Sequence, residues 1–118
     1  MHIGDGAFYT ELNERMRFLK YDSQGDGFAS HHDGVYPRPT GHPHFGDRSL
    51  ITVHLYLNKG YEGGTTRFLS YDKADDEGPV KTCEESSDFD VLEVGDVLVF
   101  EHHLLHCGSR MTSGTKYT

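Results

Sequence analysis

Long apolar runs are missing from this 118-residue chain, so no segment has the length and hydrophobicity of a membrane-crossing helix. The first ten residues lack both a basic region and an apolar stretch. A secretory leader is therefore not expected, and a cytoplasmic setting is. Basic residues are few and scattered: 11 Lys and Arg stand against 19 Asp and Glu, for a net charge of −8. A phosphate-binding surface needs clustered Lys and Arg, so nucleic acid is not an expected partner. The two cysteines, Cys83 and Cys107, form no CxxC pair, which argues against a cysteine zinc site or a disulfide framework. Reduced thiols are the default in a reducing compartment, with a single Cys83–Cys107 disulfide left open. The chain also has no internal repeat and no low-complexity tract.

What is present fits one domain over residues 1–118, large enough for a real core. The acid is concentrated, with nine of the 19 carboxylates between Asp72 and Glu93. A solvated loop is the plain reading of that stretch, and a surface for a basic peptide is the other. Ser49–Asn58 (SLITVHLYLN) is the clearest strand, rich in β-branched and aromatic residues. Its alternation places Thr52, His54 and Tyr56 on one face and Ile51, Val53, Leu55 and Leu57 on the other. Shorter strands are expected at Phe28–His32, Thr65–Tyr71, Val97–Glu101, Leu104–Arg110 and Thr115–Thr118. Val91–Glu93 and Val97–Glu101 flank a Gly95-Asp96 turn and read as a hairpin-like corner. Glu11–Lys20 is expected to open as a short helix and to pass into a strand around Arg17–Tyr21. Three of the four prolines fall in Pro37–Asp47, a loop that could act as a lid. Seven or eight short strands with Gly-rich turns and little helix point to a sandwich, jelly roll or small barrel.

The chemistry is carried by His31-His32-Asp33. On a strand, residues 31 and 33 share a face and can bite one ion together, whereas His32 points away. Two imidazoles and one carboxylate can occupy one face of a ferrous ion and leave the other positions open for substrate and O₂. The third ligand must come from His102, His103 or His106. The run His102-His103-Leu104-Leu105-His106 lacks the glutamate of a zinc-protease helix and follows a strand pattern, Val97-Leu98-Val99-Phe100. His106 is the better choice and His103 the reserve, because His106 precedes a turn and is followed ten residues later by Lys116. Across the turn Thr112-Ser113-Gly114, an antiparallel partner strand can bring the Lys116 ammonium into the same pocket to hold a carboxylate. Tyr21 and Tyr56 are either core aromatics or phenolic donors. Glu62-Gly63-Gly64-Thr65 lacks phosphate-loop spacing, and its glycines suit a tight turn at a sheet edge.

Taken in order, Tyr21, His31-x-Asp33, Tyr56-Leu57-Asn58, Glu62-Gly63-Gly64, Gly95-Asp96-Val97-Leu98-Val99-Phe100, His106-x-Gly108 and Gly114-Thr115-Lys116 resemble the iron(II)/2-oxoglutarate-dependent dioxygenases. Within them the chain is similar to the prolyl 4-hydroxylase-like branch, over about Arg15 to Lys116. The resemblance implies a mainly β fold, a double-stranded β-helix (jelly roll, cupin-like) with little helix. It implies iron held by His31, Asp33 and His106, with Lys116 binding the C5 carboxylate of 2-oxoglutarate, Tyr56 assisting and Tyr21 lining the pocket. The implied reaction is O₂-dependent hydroxylation of an unactivated C–H bond with release of succinate and CO₂, for which ascorbate is a compatible reductant. Asp33 favours hydroxylation over halogenation, because a small residue there would open a site for halide.

The chain also departs from the family. Helices that usually support the barrel ahead of the first strand are short or missing, and the last strand, begun at Lys116, reads as cut after three residues. A peptidyl proline fits the branch as substrate, and small molecules fit equally well. Other expectations are a catalytically silent jelly-roll binding module, a nucleic-acid demethylase disfavoured by the charge, and a metal-only cupin enzyme. Oligomeric state leaves no mark in the sequence.

Overall fold

A computed structural model describes residues 11–23, 25–71, 81–83 and 92–118. Among these residues the protein is mainly β, with no helix and ten strands: β1 (Lys20–Asp22), β2 (Phe28–His31), β3 (Ile51–Leu55), β4 (Glu62–Gly63), β5 (Thr66–Tyr71), β6 (Lys81–Cys83), β7 (Val97–Glu101), β8 (His106–Gly108), β9 (Met111–Ser113) and β10 (Thr115–Tyr117). Every strand pairing is antiparallel. One four-stranded sheet has the order β2-β8-β5-β6, and three two-stranded ribbons pair β1 with β10, β3 with β7 and β4 with β9. No helix among the described residues is long and apolar enough to cross a membrane.

The β3–β7 ribbon shows why its residues alternate. Its register sets Thr52 opposite Phe100 and His54 opposite Leu98, all turned inward. Tyr56, Leu98 and Phe100 form the buried cluster, with Phe68 and Leu92 packed on it. The intervening residues Ile51, Val53, Leu55, Val97 and Val99 lie on the opposite face, and all five are exposed. The alternation expected for Ser49–Asn58 is thus the observed one.

Two expectations need correction. Glu11–Leu19 forms no helix; the chain is irregular until β1 begins at Lys20. Leu12 and Met16, the one i,i+4 apolar pair that a helix there would present, are 63 % and 71 % exposed and meet no partner surface. A helix that short needs a packed face to persist. Its acids are used otherwise: Glu11 and Glu14 pair with the buried Arg38, and Glu14 also meets His42 at 3.1 Å, fastening the segment to the proline-rich loop. The second correction concerns the corner at Gly95-Asp96. β7 pairs with β3, and Leu92–Glu93 is not a strand. The turn caps β3 instead, since Gly95 N–H donates to Tyr56 O at 2.8 Å and Tyr56 N–H donates to Asp96 O at 3.1 Å. Asp96 closes it by accepting the Glu93 N–H at 2.7 Å, a side chain substituting for backbone in a tight turn. The acidic stretch falls largely outside the described residues, as does the side chain of Cys83 and with it the Cys83–Cys107 disulfide left open by the sequence.

Candidate metal centre

β2 and β8 pair so that His31 and His106 are direct cross-strand partners, with ring centroids 4.3 Å apart. Asp33 lies two residues past His31, just beyond the strand end, where its N–H donates to His102 O at 3.2 Å. The result is convergence: Asp33 Oδ1 lies 3.3 Å from His31 Nε2 and 3.6 Å from His106 Nε2. The three donor atoms all lie within 4.8 Å of one another, the spacing that one ion can bridge.

The outer hydrogen bonds fix which atoms face inward. The Nδ1–H of His31 donates to Ala29 O at 2.7 Å, and that of His106 donates to Leu104 O at 2.9 Å. With Nδ1 bonded to a carbonyl, each Nε2 is the atom turned to the shared point and the one left for a metal. Thr52 Oγ1 donates to Asp33 Oδ2 and leaves Oδ1 for the ion. Aromatic rings wall the cluster: Phe100 meets His106 edge-on at 4.7 Å, and Phe28 lies 4.4 Å from His31. Two imidazoles, one oriented carboxylate and flanking aromatic rings fit a divalent first-row metal, ferrous iron among them.

His32 and His103 both lie outside the cluster. His32 turns away and its Nδ1 bonds His103 O at 2.9 Å. His103, the reserve ligand, is exposed and pairs with Glu101 at 3.0 Å, outside the cluster.

Lys116 sits on β10 opposite Tyr21 of β1 and is only 3 % exposed. Its Nζ donates to Gly64 O at 2.5 Å and lies 5.0 Å and 5.7 Å from the ring centres of Tyr56 and Tyr21. Among the described residues no carboxylate pairs with it. Burial pushes this ammonium down to about 8. Burial likewise raises the Tyr21 and Tyr56 phenols above their usual range. Tyr56 is anchored by a 3.1 Å hydrogen bond between its hydroxyl and Thr66 Oγ1. A buried cation held, among the described residues, by a carbonyl and two aromatic faces is poised for an anion.

Gly64 makes this approach feasible. It adopts φ +67°, and a Cβ there would come within 2.5 Å of Met111 Sδ and 3.2 Å of Lys116 Cδ. The glycine pair therefore does more than turn the chain: it lets the lysine reach a backbone carbonyl. A groove of about 480 Å³ shares Tyr56 and Gly64 with the lysine site but includes none of the three cluster residues.

Two contributions escaped the sequence reading. Thr52 shares the inward face with His54 and Tyr56, but its bond to Asp33 depends on where the post-β2 chain passes. The Gly64 carbonyl leaves no side-chain signal at all. His54, noted only as inward-facing, stacks on Tyr56 at 4.9 Å with ring planes 14° apart. No family model, curated protein or solved structure matches this chain.

Proposed function

We propose that this chain is an iron(II)- and 2-oxoglutarate-dependent oxygenase domain of the double-stranded β-helix type, in the prolyl 4-hydroxylase-like branch. One observation carries the reading: His31 Nε2, Asp33 Oδ1 and His106 Nε2 converge with both Nδ1 protons committed to carbonyls, while Lys116 is buried without a carboxylate partner among the described residues. Bound iron, 2-oxoglutarate and O₂ would supply the oxidising power for C–H hydroxylation, with succinate and CO₂ released and ascorbate keeping the metal reduced.

The protein's own part is positional and electrostatic. His31, Asp33 and His106 would hold the metal on one side and leave the opposite side for ligands. Thr52 keeps the carboxylate from rotating. Lys116 would form a charge-assisted bond with the distal carboxylate of the cosubstrate, and Tyr21 and Tyr56 would exclude water around that pair. Phe28 and Phe100 keep the imidazoles in an apolar setting. The substrate class is a peptide, a prolyl peptide included, or a small molecule. A net charge of −8 disfavours nucleic acid.

The test is iron-dependent succinate formation from 2-oxoglutarate, screened over proline-rich peptides and small acids with mass detection of a hydroxylated product. His31→Ala should abolish both signals. Metal and cosubstrate binding without succinate in any mixture would instead identify a silent binding module.

A further inference from the structure

His54 is the one inward-facing polar side chain of β3 whose ring nitrogen has no assignment. Thr52, two residues before it, bonds Asp33, and Tyr56, two residues after it, bonds Thr66. His54 Nε2 is buried and has no hydrogen-bond partner among the described residues. A buried polar nitrogen left unpaired is costly, and such atoms are usually satisfied or serve a ligand. The ring cannot readily swing away, because it lies flat on Tyr56, itself 3 % exposed.

Its surroundings indicate which ligand. On the inward face of β3 the ring lies between Thr52, which bonds Asp33, and Tyr56, on which it stacks and whose ring centre is 5.0 Å from Lys116 Nζ, and the charges of Lys116, Asp33 and His106 all act on it. Burial, first, and then the Lys116 charge hold the ring neutral, down to about 4. A neutral imidazole with a proton on Nε2 is a hydrogen-bond donor, and a ligand bridging a metal and a buried ammonium is a dianion rich in acceptors. Leucine or valine would satisfy an apolar wall here without leaving a polar atom stranded.

We infer that His54 binds the cosubstrate directly, its Nε2–H donating to a carboxylate oxygen of the 2-oxo acid held between the metal cluster and Lys116. This rests on the function proposed above. His54 then adds a third anchor to those supplied by the metal and the lysine, and its unmet hydrogen bond is satisfied only when the 2-oxo acid is bound.

Calorimetric titration of the Fe(II)-loaded, oxygen-free protein with 2-oxoglutarate tests this, using H54L, H54Q and K116A. Losing a hydrogen bond to a charged group should weaken H54L by about tenfold or more, with metal affinity unchanged. H54Q, which can place an amide N–H near the same point, should recover most of the affinity. Without ligand, H54L should melt no lower than the parent, because it removes an unpaired buried nitrogen. Parent-like cosubstrate affinity in H54L, with K116A impaired, would overturn the inference and leave the oxygenase reading standing. So would weak binding in both H54L and H54Q accompanied by a lowered melting temperature, which marks a purely structural residue. A metal-loaded parent protein that binds no 2-oxoglutarate would overturn both.

Discussion

Thr52 Oγ1 holds one oxygen of Asp33 while the other oxygen faces His31 and His106. The carboxylate is thus oriented by a neighbouring strand before any ion arrives. Thr52→Val keeps the shape and removes the donor. Metal affinity should fall about tenfold or more, the usual cost of losing such an outer contact. Competition titration against a chelator of known affinity, with Asp33→Ala as the null control, measures it.

Lys116 gives a prediction in pH. Its ammonium is depressed from 10.5 to about 8 by burial. Between these values the unfolded chain binds more protons than the folded one, so stability without ligand should rise as pH increases from about 8 toward 10.5. Below about 8 both states carry the proton and this contribution is flat. Under the proposed function, cosubstrate binding should show the opposite trend, because it would need the charged form. Affinity for 2-oxoglutarate should decline above about pH 8, approaching tenfold per unit. Binding titrations from pH 7 to 10 should show the fall in the parent and no such trend in Lys116→Met.

Gly64→Ala should separate the two halves of the site. The new Cβ meets Met111 Sδ and Lys116 Cδ at a backbone angle of φ +67°. A loss of about 1–3 kcal/mol is expected from the strained backbone alone. Displacement of Lys116 should weaken 2-oxoglutarate binding while metal binding persists, since Gly64 touches none of the three ligands. Denaturant unfolding and paired metal and cosubstrate titrations provide the readouts.

The two faces of β7 should respond unequally. Leu98→Ala opens the buried cluster with Tyr56 and Phe100 and should cost about 2–5 kcal/mol. Val99→Thr, on the exposed face, should change stability by no more than about 0.5 kcal/mol. Urea midpoints of the two variants distinguish them.

How far the sequence reached follows from the range of each interaction. β3 was legible because a period of two is local, and the faces of Thr52, His54 and Tyr56 follow from it. His31 and Asp33 were legible as a pair for the same reason. His106 required the β2–β8 pairing, which spacing alone does not reveal. The turn that follows it and the lysine beyond favour it over His103. The helix expected at Glu11–Lys20 failed because Leu12 and Met16 had no surface to pack on, and local pattern cannot report an absent neighbour. The hairpin at Gly95-Asp96 failed because β7 found β3 as its partner. Thr52 on Asp33 and Lys116 on the Gly64 carbonyl are contacts between distant segments, set by how the strands come together.

His31 and His106 are 75 positions apart in the chain yet occupy adjacent sites on one sheet. A metal bound to both would act as a reversible cross-link closing that long loop. Such a cross-link ties the opening strands to the closing ones, and its free energy counts toward the fold. Holding the ion at a hundred times its dissociation constant would add about 2.7 kcal/mol of stability. Iron supply would then govern how long the protein survives proteolysis as well as whether it can turn over.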